Sequence, residues 1–142
     1  MFNAIQTALS GLVANSKRVD ASAQNIAHMN VTGSLTDPEN APYTPVTTVQ
    51  ESQGGAQNGG ARNGPGGVLA ENVPVDRPFV PAYAPDSPFA DENGIVGAPN
   101  VNLAAEIVNL KVAEYSYKAN LGALETAQDM TGELIDLLDT DS

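Results

Sequence analysis

Apolar residues recur at alternating steps of three and four along the start of the chain: Phe2, Ile5, Leu9, Leu12, then Val19, Ala23 and Ile26, with Ser16 the one interruption. This is the a/d pattern of a coiled-coil seam, and it predicts a helix from about Asn3 to Met29. The helix should stop near Asn30–Gly33, where Gly33 can supply a left-handed cap. A second helix is predicted from Val101 to about Asp139. Its seam reads Leu103, Ile107, Leu110, Glu114, Tyr117, Leu121, Leu124, Gln128, Thr131, Ile135 and Leu138. Beside it runs another stripe, Val108, Val112, Tyr115, Ala119, Met130, Leu134 and Leu137. Two apolar stripes need two partners, so one of them is available for assembly. Asn100 or Asn102 can cap the start, with Glu106 in an early turn.

Between these helices the chain changes character. All ten prolines lie between Pro38 and Pro99, and nine of the thirteen glycines between Gly54 and Gly97. Long helices are thereby excluded from the middle. Pro42–Val49 and Pro78–Tyr83 combine β-branched and aromatic residues with proline, which suits edge strands or extended arms. Gly54–Gly67 has seven glycines in fourteen residues and no large apolar side chain, so it reads as a mobile loop. The predicted fold is mainly α: two long terminal helices packed as a coiled-coil-like pair, with a Pro/Gly-rich, partly β middle. The divisions fall at 1–33, 34–99 (with the loop 54–67) and 100–142.

Charge then narrows the partners. Seventeen acidic residues face six basic ones in 142, a net charge of −11. Such a surface repels nucleic acid and anionic lipid alike. No apolar run approaches the roughly 20 residues of a membrane span, so no direct membrane insertion is expected. The start, Met1-Phe2-Asn3-Ala4-Ile5-Gln6, lacks the basic and apolar regions of a cleavable signal, which by itself reads as cytoplasmic.

Candidate chemistry is sparse, and no enzyme is expected. There is no cysteine and one histidine, His28, so the usual zinc sets cannot form and no cofactor is expected. Asp129, Glu133 and Asp136 share a helix face, but a rigid helix seldom wraps the six to eight oxygens that calcium takes. The glycines fit no phosphate-binding fingerprint. Tyr115 and Tyr117 read as packing anchors.

Two separated motifs carry a resemblance. Ala8-Leu9-Ser10-Gly11-Leu12, Asn25-Ile26-Ala27, Asn30, Thr32 and Gly33 are similar to the N-terminal signature of the bacterial flagellar axial family, which includes rod, hook and hook-associated proteins. Asn100-Val101-Asn102, followed by Leu103 to Val108, and Tyr117-Lys118-Ala119-Asn120 resemble its C-terminal signature. The match covers both ends, about half the chain. The stretches Tyr83–Pro88, Asn93–Val96 and Pro99–Asn102 look most like the proximal-rod members. His28 departs from the Asn often found there, Ser116 from a common Arg, and the Gln53–Val68 stretch looks long. The resemblance implies a rod subunit exported unfolded through the flagellar export apparatus without signal cleavage. Such a subunit assembles in the periplasm with copies of itself, related rod subunits and the basal-body base. It further implies that the terminal helices form an inner tubular layer. The rival expectation is a cytoplasmic helical adaptor or secretion chaperone that docks a partner on its acidic C-terminal helix.

Overall fold

A computed structural model describes residues 2–54 and 66–140. Most of the predicted glycine-rich loop, 55–65, lies outside the described residues. So do the side chains of Phe2 and of residues 138–140, including Leu138 of the second seam.

The first helix, α1, spans Phe2–His28. It ends in a turn in which the Val31 N–H donates to the His28 carbonyl at 2.9 Å. Gly33 is not a left-handed cap. It forms an antiparallel bridge with Gly97, the two N–H···O bonds measuring 3.0 and 2.8 Å. A Cβ on Gly33 would lie 2.4 Å from the Asn40 carbonyl oxygen and the Pro42 nitrogen. Glycine is there because backbone passes against backbone. The second helix, α2, spans Leu103–Thr140. Asn102 caps it: Oδ1 accepts the Ala105 N–H at 3.1 Å and its carbonyl accepts the Glu106 N–H at 3.0 Å. Asn100 has a different task, donating Nδ2 to the Arg77 carbonyl and its N–H to that of Pro78.

Four strands fill the middle. β1 (Val46–Gln53) pairs with β2 (Gly67–Pro74), and β3 (Phe79–Tyr83) runs antiparallel to β4 (Ile95–Pro99), from Phe79↔Pro99 to Tyr83↔Ile95. β1 and β3 overlap the two extended stretches expected from sequence, Pro42–Val49 and Pro78–Tyr83, while β2 and β4 were not individually expected. Gly67, assigned from sequence to the loop, opens β2. The β3–β4 connection closes on Asp91, whose Oδ1 accepts the N–H groups of Asn93 and Ile95, both at 2.8 Å, while Gly94 takes a φ of +74°. The Ile95 N–H, followed by that of Asn93, holds the Asp91 carboxyl below its ordinary range. A depressed carboxyl stabilises the fold above its unfolded pKa, and that contribution fades on acidification.

Contacts gather the chain into two compact units: Met1–Lys17 with Val49–Glu71 and Lys111–Ser142, and Arg18–Thr48 with Asn72–Leu110. Each takes part of both helices. Burial in them runs against side-chain size. Among the described residues the buried apolar side chains are Ala8, Leu12, Ala14, Ala21, Ala70, Val96, Ala113 and Ala127, six of them alanine, together with Pro42, Pro45 and Pro99. Along α1 the buried column is Ala8, Asn15 and Ser22, seven residues apart. Along α2 the buried residues are Ala113 and Ala127, with Glu106 and Asn120 half-buried at the same seven-residue spacing and Leu110, Leu124 and Thr131 half-buried beside them. Leu9 and Val13 on α1 are 54% and 53% exposed.

The glycines supply a paired test. Gly33→Ala should cost about 3 kcal/mol, because the atoms it meets are backbone and cannot give way. Gly122→Ala and Gly132→Ala, where an added Cβ meets nothing within 4 Å, should each stabilise the isolated subunit by about 1 kcal/mol. Urea midpoints of the purified variants will measure both.

Candidate assembly surface

In the unit formed by 18–48 and 72–110, one buried amide joins four elements of the chain. Asn25, only 2% exposed, donates Nδ2 to the Val46 carbonyl at 2.8 Å and to Glu106 Oε1 at 2.7 Å. Its Oδ1 accepts the Val46 N–H at 2.9 Å and the Tyr43 hydroxyl at 3.2 Å. Both donors and both lone pairs are used. Toward Val46 the amide behaves as a one-residue strand, taking the N–H and C=O that open β1. Glu106 also accepts from Ser22 Oγ at 2.6 Å, so α1 and α2 are tied through a carboxylate held by two buried donors. The Tyr43 hydroxyl is pushed up in pKa, first by burial and then by the Glu106 charge. His28 lies with its ring 4.8 Å from that of Tyr43. Arg18, Thr47, Thr48 and Asn109 help to wall a polar recess of about 250 Å³ beside Glu106. Its carboxylate is already hydrogen-bonded, and the described residues hold no cluster of three His, Cys, Asp or Glu that could take a metal.

The other unit has its own ties. Asn120 lies over Gly11, where a Cβ would come within 2.7 Å of Asn120 Nδ2. The outer edge of β2 is covered by α1 side chains at helical spacing. Thr7 Oγ1 donates to the Gly66 carbonyl at 2.9 Å, Ser10 Oγ accepts the Val68 N–H at 3.0 Å, and Lys17 Nζ donates to the Ala70 carbonyl at 2.7 Å. Alternate residues of a strand turn their peptide groups to the same edge, so Thr7, Ser10 and Lys17 occupy what a further strand would use. Gly67 is needed for this approach, since a Cβ there would be 2.6 Å from Ser10 Oγ. On exposed α2, Glu114 takes Lys118 at 2.7 Å and Lys111 at 3.0 Å, and these lysines, Lys118 first, pull its carboxyl down to about 2.

What is left outside is large. Leu103, Ile107, Tyr117, Leu121 and Ile135 of the first α2 stripe are exposed, and so are Val108, Val112, Tyr115, Met130, Leu134 and Leu137 of the second. On α1, Ile5 and Ile26 are half-buried and Val19 is 36% exposed. Of the motif residues, Ser10, Gly11, Asn25, Gly33, Asn100, Asn102 and Asn120 make the contacts given above. Ala27, Asn30 and Ala119 are exposed, and Thr32 and Val101 half-buried. Thr7, Lys17, Ser22 and Tyr43 were not singled out from sequence, and Glu106 only as a helix-start residue. The seven-residue spacing of small and polar positions was the available signal.

The family model for the C-terminal region of the flagellar basal body rod FlgEFG proteins matches residues 92–137. The flagellar basal-body rod protein FlgC of Salmonella typhimurium is 33% identical over 132 residues, 92% of each chain. FlgC of Agrobacterium fabrum is 36% identical over 130 residues, 91% of this chain and 88% of that one. The chain belongs to the FlgC family of flagellar basal-body rod proteins. A more divergent FlgC, that of Bacillus subtilis, is 28% identical across 96% of this chain and 97% of its own. Equal coverage of this chain and the Salmonella FlgC means that the two are nearly equal in length. The two ends that resemble the axial signatures meet in this FlgC-family chain, Gly11 against Asn120 in one unit and Asn25 against Glu106 in the other.

Asn25→Asp tests the amide without changing its shape. It removes both donors and sets a second carboxylate against Glu106, which should cost about 3 kcal/mol or more at neutral pH. One of the two carboxyls then has its folded pKa raised, so the deficit should shrink as pH falls into the carboxylate range and deepen as it rises. Thermal unfolding of both proteins from pH 4 to 8 will show whether the gap widens as stated.

Proposed function

We propose that the chain is a structural subunit of the flagellar basal-body rod whose large apolar side chains are reserved for neighbouring subunits. The observation that carries this reading is the inversion of burial: alanine, glycine and asparagine inside, leucine, isoleucine, valine and tyrosine outside. A soluble monomer seldom leaves so continuous an apolar helix surface uncovered. Whole-length similarity to rod proteins favours this over a helical adaptor, and the exposed stripes flank the acidic face such an adaptor would use.

The finer reading follows the same physics. The terminal helices pair as a coiled-coil-like inner layer, which the ties at Gly11–Asn120 and Ser22–Glu106 support, and the 34–99 middle faces outward. Neighbours are copies of the chain, related rod subunits and the basal-body base, reached through the export apparatus without signal cleavage. Among the described residues no helix is long and apolar enough to cross a membrane. No residue is assigned a chemical step: the subunit transmits torque by stiff packing.

Three substitutions separate assembly from folding. Val112→Asp and Leu134→Asp, at positions 45% and 46% exposed, should leave the stability of the isolated subunit within about 0.5 kcal/mol while abolishing rod completion. Leu124→Asp, on the half-buried column, should lower the folded subunit itself. Secreted protein, basal-body content and urea midpoints measured in one background will decide; equal loss in all three variants would remove the distinction between faces.

A further inference from the structure

Between α1 and β2, in the unit that contains 1–17, 49–71 and 111–142, lies an apolar groove of about 320 Å³. Leu9, Val13 and Leu69 border it, 54%, 53% and 51% exposed, and Lys17 is the charged residue of its lining. The groove is held open by construction. Ser10 and Lys17 bond the β2 backbone, fixing the strand against the helix, and Leu9, Val13 and Leu69 project beside that junction.

The same unit carries a helix surface of matching form. Met130, Leu134 and Leu137, at steps of four and three on α2, are 53%, 46% and 66% exposed. Steps of this kind are how an amphipathic helix anchors in an apolar groove. Charge matches as well: Phe2–Lys17 contains no acidic residue, whereas Gly122–Thr140 contains five and no basic one. Among the described residues Leu9, Val13 and Leu69 of the groove and Met130 and Leu134 of the stripe are exposed, so a second copy can reach both surfaces. Because they are different surfaces, their union is heterologous and propagates as an open helix instead of closing on a two-fold axis.

The geometry points to the α1–β2 groove of one subunit as the seat for the Met130–Leu137 segment of α2 from a second copy. This inference rests on the rod reading and adds to it a specific pair of surfaces. The acidic flank of the incoming helix, Asp129, Glu133 and Asp136, meets the acid-free half of α1 and the Lys17 end of the groove. In a chain of net charge −11, this is a contact that brings unlike charges together.

The absence of cysteine makes the test clean. Val13→Cys and Leu134→Cys are placed in separate, differently tagged copies, co-expressed, and treated in purified basal bodies with a short bismaleimide. The expected product is a covalent dimer carrying both tags, absent when either variant is expressed alone. Leu9→Cys with Leu134→Cys is a second pair, so that poor incorporation of one variant does not decide the result. If all variants enter basal bodies and neither pair yields the doubly tagged dimer, or Val13→Cys is joined to a different protein instead, the groove assignment is overturned and the rod reading stands. If the unsubstituted chain is itself missing from basal bodies, the rod reading falls and this inference with it.

Discussion

The arrangement depends on how closely one element is allowed to approach the backbone of another. Gly11 takes Asn120 where any Cβ would collide, Gly67 takes Ser10, and Gly33 takes the chain at Asn40–Pro42. Alanine does the same along the inner columns of both helices. Small side chains bring the elements near enough for asparagine, serine and lysine to reach main-chain groups, and those polar bonds then set the arrangement. The apolar contribution per buried alanine is modest, so hydrogen-bond geometry carries much of the specificity. Leu12, Val96 and Pro45 are buried as well, but most of the large apolar side chains of the two helices lie outside.

This explains how far the sequence could be read. Both helices were legible, because seven and ten proline-free steps of three and four leave little choice of secondary structure, and the Asn102 cap was one of two named candidates. Column by column the reading was less good. Each predicted seam divides in the structure: Leu12 on α1 is buried and Leu110 and Leu124 on α2 are half-buried, while Leu9, Ser16 and Ala23 on α1 and Ile107 and Leu121 on α2 are exposed. One residue earlier lie buried Ala8, Asn15 and Ser22 on α1, and buried Ala113 between half-buried Glu106 and Asn120 on α2. A rule that equates large apolar with inside fails when the inside is built for close approach and the large residues serve a neighbour.

The middle was legible as partly β, with β1 and β3 overlapping the two stretches named, but β2 and β4 were not located. β4 has the sequence Ile-Val-Gly-Ala-Pro, and its glycine and proline argue against a strand when considered singly. In place, Gly97 is needed because Leu35 and Pro42 pack where its Cβ would be, and Pro99 ends the pairing with Phe79. Local propensity was overridden by long-range contact, which no window of neighbouring residues contains. The same holds for Asn25. Its importance comes from Val46, Tyr43 and Glu106, separated from it by between 18 and 81 positions.

That amide also bears on how the subunit ages. Conversion of asparagine to aspartate begins with attack on the side-chain carbonyl by the nitrogen of the following peptide. For Asn25 that nitrogen belongs to Ile26, which is within α1, so its N–H is committed to the helix ladder. The carbonyl it would attack is pinned on the opposite side by the Val46 N–H and the Tyr43 hydroxyl. Placing the amide on a helix, facing away from its own successor, protects from slow hydrolysis the one side chain whose change to a carboxylate would set two negative charges inside the fold.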